Sequence, residues 1–148
     1  LYIGTADAFE IGVYTVDGTA LRPIRDTITA RAVTRADIER FVEEHIVGRT
    51  AAARRTRRTV LEGLQYPTHL PAYGALEVDD DDNLWVEEYR TTSDSRQRWR
   101  VYSPAGAFLS SVSMPAGFGM LEAGRDYVLG LETDGDGVEL VRMYRLTR

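Results

Sequence analysis

The chain has 148 residues, of which 43% are hydrophobic and 28% charged, and its formal net charge is −5. This length suffices for one domain with a sizeable core, and no apolar run is long enough to span a bilayer. The absence of cysteine excludes disulfides, thiolate catalysis and cysteine-based zinc sites. The negative charge argues against nucleic acid as a partner. Composition leaves the cellular compartment undetermined.

The first predicted unit covers residues 1–28 and has three strand-like runs, "LYIGTA", "FEIGVYTV" and "TALRPIR". Asp17 and Gly18 form a turn signal between the second and third runs. Pro23 predicts that the third run is an edge strand, because proline cannot donate to a neighbouring strand. The chain starts without Met inside a strand-like run, so we expect it to be a piece of a longer protein.

Residues 34–65 interrupt the strand pattern and predict a helical insertion. Thr34 is a helix N-cap candidate, and Asp37 stands three residues later, as in a capping box. Apolar residues then recur at helical spacing from Ile38 to Ile46. A second run, "AAARRTRRTVLEGLQ", is rich in strong helix formers.

Residues 72–115 predict one complete unit of four strands: "YGALEV", "LWVEEY", "RWRVYS" and "AFLSSVSM". The turns between them are "DDDDN", the polar loop "TTSDSRQ" and "PAG", where Gly106 supplies a positive φ. Residues 117–148 repeat the first three strands as "GMLEAG", "DYVLGLE" and "VELVRMYRL". The outer strand of this last unit is missing, and we expect another part of the parent protein to supply it.

An internal repeat links the three units. The pairs Val13–Tyr14, Val101–Tyr102 and Met143–Tyr144 occupy equivalent positions, and the last two pairs are 42 residues apart. A period of about 40–45 residues with several short strands per repeat is typical of β-propeller blades. The sequence therefore predicts an all-β fold, a partial β-propeller of about two and a half to three antiparallel blades with a helical insertion.

Three stretches, "LPAYGALEVDDDDNLWVEEY", "RWRVYSPAGAFLSSVSMP" and "DYVLGLETDGDGVELVRMYRL", resemble the last blades of bacterial six-bladed β-propellers of the NHL/TolB-like kind. The resemblance covers essentially the whole chain. It implies further blades in the parent chain as partners, and often an exported protein, but no common activity. Asp82 stands where the family usually has glycine, so Asp82 is expected to adopt a turn conformation that favours glycine.

The sequence offers few candidates for a chemical site. His69, Tyr73 and Glu77 are expected near the mouth of a central channel, where they are candidates for binding a ligand. A structural role is the alternative for His69. Two runs suggest Ca²⁺: the four consecutive carboxylates Asp79–Asp82, and "DGDG" at Asp134–Gly137. They lack EF-hand spacing, so a solvated turn is the favoured interpretation. We predict no cofactor and no catalytic residue.

The arginine and histidine side chains of the helical insertion are further candidates for a site, and each also has a structural explanation. Arg54, Arg55, Arg57 and Arg58, with Arg49 nearby, form either an anion-binding patch or a solvated helix face, and no aromatic residues interleave them as in a nucleic-acid groove. His45 falls on the apolar face of the first helix.

Two functions from different classes fit these observations. The first is a non-catalytic ligand-binding or protein-interaction scaffold of β-propeller type. The alternative is a fragment of a propeller enzyme, a metal-dependent hydrolase or lyase with its site at the central channel. The second function requires inward-facing acidic, Asn or His residues from several blades, and the inner strands here offer few.

Overall fold

The computed structural model describes residues 1–48, 50–91, 96–115 and 117–147, and it divides the chain into two compact units. One unit comprises residues 1–29 and 71–148 and contains all the strands, and the other comprises residues 30–70 and contains both helices. The strands are β1 (Tyr2–Ile3), β2 (Glu10–Val13), β3 (Ile24–Arg25), β4 (Leu76–Val78), β5 (Leu84–Glu87), β6 (Arg96–Tyr102), β7 (Phe108–Pro115), β8 (Phe118–Ala123), β9 (Tyr127–Thr133) and β10 (Glu139–Arg145).

These strands form three antiparallel sheets, each made from strands consecutive in sequence. Sheet 1 has the order β1-β2-β3, sheet 2 has β4-β5-β6-β7, and sheet 3 has β8-β9-β10. The predicted all-β architecture with a helical insertion is confirmed at this level. Strand β3 lies at the edge of sheet 1, as predicted, but it contains only Ile24 and Arg25, so Pro23 precedes the strand instead of lying within it. The predicted loop "TTSDSRQ" includes residues 92–95, which lie outside the described residues.

The core of this unit lies between successive sheets. Trp85, Trp99 and Val101 of sheet 2 and Phe118 and Val128 of sheet 3 belong to one buried cluster, which also contains Met114 and Ala123. Burial of this face follows from the two-residue alternation of β6, since residues at every second position point to the same side of a strand.

Sheets 1 and 2 are joined by aromatic and polar contacts. The ring of Phe9 lies 5.8 Å from that of Tyr102, and Asp26, just after β3, accepts hydrogen bonds from Tyr102 and Arg100. Sheet 2 therefore contacts sheet 1 on one side and sheet 3 on the other.

Four hairpin turns share one local geometry: residues 15–19, 79–83, 103–107 and 134–138. In each turn the backbone N–H of the first residue donates to the fifth carbonyl, and the fourth N–H donates to the first carbonyl. The first side chain, from Thr, Asp or Ser, accepts from the fifth N–H. The fourth residue always has a positive φ, which is the turn followed by a left-handed residue seen in three-residue hairpin loops.

The helical unit contains α1 (Arg35–His45) and α2 (Ala51–Glu62). The predicted capping box is present, because the Thr34 side chain accepts from the Asp37 N–H and the Asp37 carboxylate accepts from the Thr34 N–H. Val42 and Leu61 are the buried apolar side chains of these helices. No described helix is long and apolar enough to cross a membrane.

Candidate functional groove between sheets 2 and 3

A groove of about 1180 Å³ separates the outer parts of sheets 2 and 3. One wall is β7, from Leu109 to Pro115, and the other wall is formed by Tyr144 at the end of β10 and the residues that follow it. Its lining mixes serine hydroxyls, aliphatic side chains and charged groups. Such a surface suits a peptide segment, which presents both polar backbone and apolar side chains.

The groove exists because sheet 3 has one strand fewer than sheet 2. In sheet 2 the outer side of β6 pairs with β7 over seven residue pairs. Strand β10 is equivalent to β6 in the repeat, and it pairs only with β9 within the described part of the chain. The outer edge of β10 therefore exposes unpaired backbone donors and acceptors beside the groove.

A hydrogen-bonded turn closes one end of the groove. Asp79 accepts from the indole N–H of Trp85 at 2.9 Å and from both the backbone and the side chain of Asn83. Partial burial of the Asp79 carboxylate acts to raise its pKa, but these hydrogen bonds outweigh burial and hold the pKa below its usual value. Because its oxygens already accept these bonds, Asp79 orders the turn rather than binding a ligand.

An exposed ion pair lies at the same end. Arg125, in the loop between β8 and β9, contacts Asp81 at 2.9 Å, and both side chains remain largely in solvent. An ion pair this exposed contributes about 0–1 kcal/mol to stability. It links the turn of sheet 2 to sheet 3 and leaves a polar rim on the groove.

Two carboxylates of the acidic run Asp79–Asp82 have protein partners. Asp79 is used by the turn and Asp81 by Arg125. Among the described residues, no three His, Asp or Glu side chains lie together as metal ligands would.

The three predicted channel residues fall in different environments. His69 is exposed and belongs to the helical unit, where its Nδ1 lies 3.1 Å from the Thr68 hydroxyl. Tyr73 is 3% exposed in the sheet unit, and its hydroxyl accepts from the Ala6 N–H at 3.2 Å. Glu77 is half-buried in β4, opposite Trp85. Only Tyr73 and Glu77 thus share a unit, and the hydroxyl of Tyr73 has a structural partner.

Sequence reasoning missed a polar cluster at the other end of sheet 2. The Glu87 carboxylate accepts from Gln97 Nε2 at 2.7 Å, from Arg90 Nε at 3.1 Å and from the Ala75 N–H at 3.3 Å. Gln97 is 4% exposed, and its Oε1 has no partner among the described residues. The sequence did contain one indication of this cluster: a glutamine at a core-facing position of β6. A buried amide needs hydrogen-bond partners, so Gln97 predicts other polar groups nearby.

A second missed group joins sheets 1 and 2. Asp26 Oδ2 accepts from the Tyr102 hydroxyl at 2.5 Å and from Arg100 at 3.0 Å, and Arg100 also donates to Glu88. Burial, followed by the adjacent Asp26 carboxylate, raises the pKa of Tyr102. The partners are 74 and 76 residues apart in sequence, so no local motif could have revealed the group.

The arginine patch of α2 is largely a solvated helix face. Arg58 contacts Glu43 at 2.6 Å and Glu62 at 3.5 Å, and a cavity of about 340 Å³ beside it is lined by Glu43 as well as by arginines. Arg49 lies outside the described residues. The neighbouring carboxylates reduce the positive charge that an anion would meet.

No protein-family model, curated protein or solved structure matches this chain. The resemblance to NHL/TolB-like propellers therefore stays a prediction from the sequence, and the groove beside β10 is the site on which a function is argued.

Proposed function

We propose that the sheet unit is a β-propeller-type scaffold that binds an extended protein segment without catalysis. The observation that carries this proposal is the unpaired outer edge of β10 beside the groove between sheets 2 and 3. An added strand gains affinity from backbone hydrogen bonds and specificity from its alternate side chains.

Sheet 2 supports this proposal because it already contains a fourth strand at the position that is unoccupied in sheet 3. In sheet 2, β7 pairs antiparallel with β6 and points Met114 into the core between sheets. A strand added beside β10 would complete sheet 3 in the same way, with one face filling the groove. In the parent protein, the remaining propeller blades would be the source of such a strand.

The sequence of β7 provides the probe. A fluorescein-labelled peptide AFLSSVSMP, residues 107–115, is titrated with the chain and followed by fluorescence anisotropy. We expect saturable binding, and no binding of a scrambled peptide of the same composition. Ser110→Trp places a large ring on the groove wall, because Ser110 pairs with the core residue Val101 and so lies on the face toward sheet 3. This variant should weaken binding at least about ten-fold, which corresponds to about 1.4 kcal/mol.

Val16→Trp is the matched control, because Val16 is fully exposed in a turn and does not line the groove. Its affinity for the peptide should equal that of the unmodified chain. Equal binding of the scrambled peptide, or undiminished binding by Ser110→Trp, would contradict the proposed function.

A further inference from the structure

The outward face of sheet 3 carries four aliphatic side chains. Leu131 of β9 pairs directly with Val141 of β10, and Leu129 pairs with Met143. Directly paired residues of an antiparallel ladder point to the same face. Val141 is 67% exposed and Met143 68% exposed. We call these four residues the outer apolar face.

The same face of the preceding sheet is covered. Trp99 and Val101 occupy the positions in β6 that Val141 and Met143 occupy in β10, and they are 2% and 5% exposed. Phe118, Ala123 and Val128 of sheet 3 belong to the core cluster that buries them. Within this chain, therefore, a face of this kind is covered by another sheet.

Two charged residues flank the outer apolar face on β10. Glu139 and Arg145 lie two positions before Val141 and two after Met143, on the same side of the strand, about 20 Å apart at 3.3 Å per residue. Neither forms an ion pair with another described residue. The equivalent residues of β6 and its following turn are Gln97 and Ser103, which are uncharged. The outer apolar face thus has charges that the covered face lacks.

We propose that a second copy of this chain covers the outer apolar face. Two such faces packed about a two-fold axis, with their β10 strands antiparallel, place the apolar side chains of one copy on those of the other. The same operation brings Glu139 of each copy to Arg145 of the second copy. This self-complementarity of charge favours a second copy over an unrelated sheet. The dimer goes beyond the proposed function, and of the residues in its contact only Arg145 also lines the groove.

Reversal and exchange of the two charges test this arrangement. The unmodified chain should give a discrete dimer by light scattering and sedimentation equilibrium, with a measurable dissociation constant. Glu139→Arg or Arg145→Glu alone creates two like-charge contacts per dimer and should raise that constant about ten-fold. The double exchange should restore it to within about three-fold, since both ion pairs form again in reversed sense.

Asp7→Arg is the control reversal, because Asp7 is exposed and lies outside sheet 3. It should leave the dissociation constant unchanged, and far-UV circular dichroism should be the same for all variants. A monomer at every concentration, open-ended aggregation, or a double exchange that fails to restore the dimer would each overturn the proposal. Peptide binding by Glu139→Arg, which changes a residue outside the groove lining, shows separately whether the groove functions.

Discussion

At the scale of single residues, the recurring hairpin turn sets two requirements: an oxygen-bearing side chain at its first position and a left-handed residue at its fourth. Three turns use glycine at the fourth position, with φ between 80° and 86°, whereas the turn at residues 79–83 uses Asp82 with φ 62°. The expectation that Asp82 takes a glycine-like conformation is confirmed. A side chain in this region carries a steric cost that glycine avoids.

Replacing Asp82 with glycine should therefore stabilise the chain by about 1 kcal/mol, because relief of the left-handed conformation exceeds the added entropy of the unfolded chain. Asp80→Gly in the same turn is the control, since Asp80 has no positive φ. Asp80→Gly should leave the free energy of unfolding unchanged or lower it. Urea unfolding of both variants measures the free energies, and a lower stability of Asp82→Gly would contradict the steric argument.

At the scale of elements, the junction between sheets 1 and 2 depends on the hydrogen bonds to Asp26. Tyr102 is buried, and its hydroxyl donates to a carboxylate that also binds Arg100. A hydrogen bond to a charged, partly buried group is among the stronger ones in proteins.

Tyr102→Phe removes that donor without leaving a cavity and should lower the free energy of unfolding by about 2 kcal/mol. Tyr144→Phe is the matched control, because Tyr144 donates to Glu132 at 3.1 Å from a position that is 38% exposed. Tyr144→Phe should lower the free energy of unfolding much less than Tyr102→Phe does, because solvent replaces the lost hydrogen bond. Urea titration measures both values, and equal costs would show that the Asp26 contact does not hold the sheets together.

At the scale of the whole molecule, the helical unit has its ends close together. The Arg31 carbonyl accepts from the Leu70 N–H at 2.8 Å, and the Val33 N–H donates to Thr68. An insertion that starts and ends at one point can be removed without separating the flanking chain.

Replacing residues 32–69 with a Gly-Ser linker of about four residues, a common hairpin loop length, should leave the sheet unit folded. The helical circular dichroism signal should disappear while the remaining unit keeps a cooperative urea transition. Loss of that transition would mean that the sheets need the helical unit in order to fold.

The sequence predicted the strands and both helices because each depends on local periodicity and turn residues. It also identified the repeat, since equivalent positions need similar side chains. It missed the Glu87–Gln97 cluster and the Asp26 contacts, because those partners meet only when strands pair or sheets pack. His69, Tyr73 and Glu77 were grouped by an expected channel, and the structure places His69 in a different unit from Tyr73 and Glu77.

What the sequence determined by itself is therefore the order of elements, the alternation of faces along each strand, and the turns that join them. Only the tertiary structure decided which of those faces is covered. Trp99 and Val141 stand at equivalent positions of the same repeat, yet one is buried and the other is exposed. The physical reason is that alternation is a property of one strand, whereas burial depends on whether another sheet packs against it.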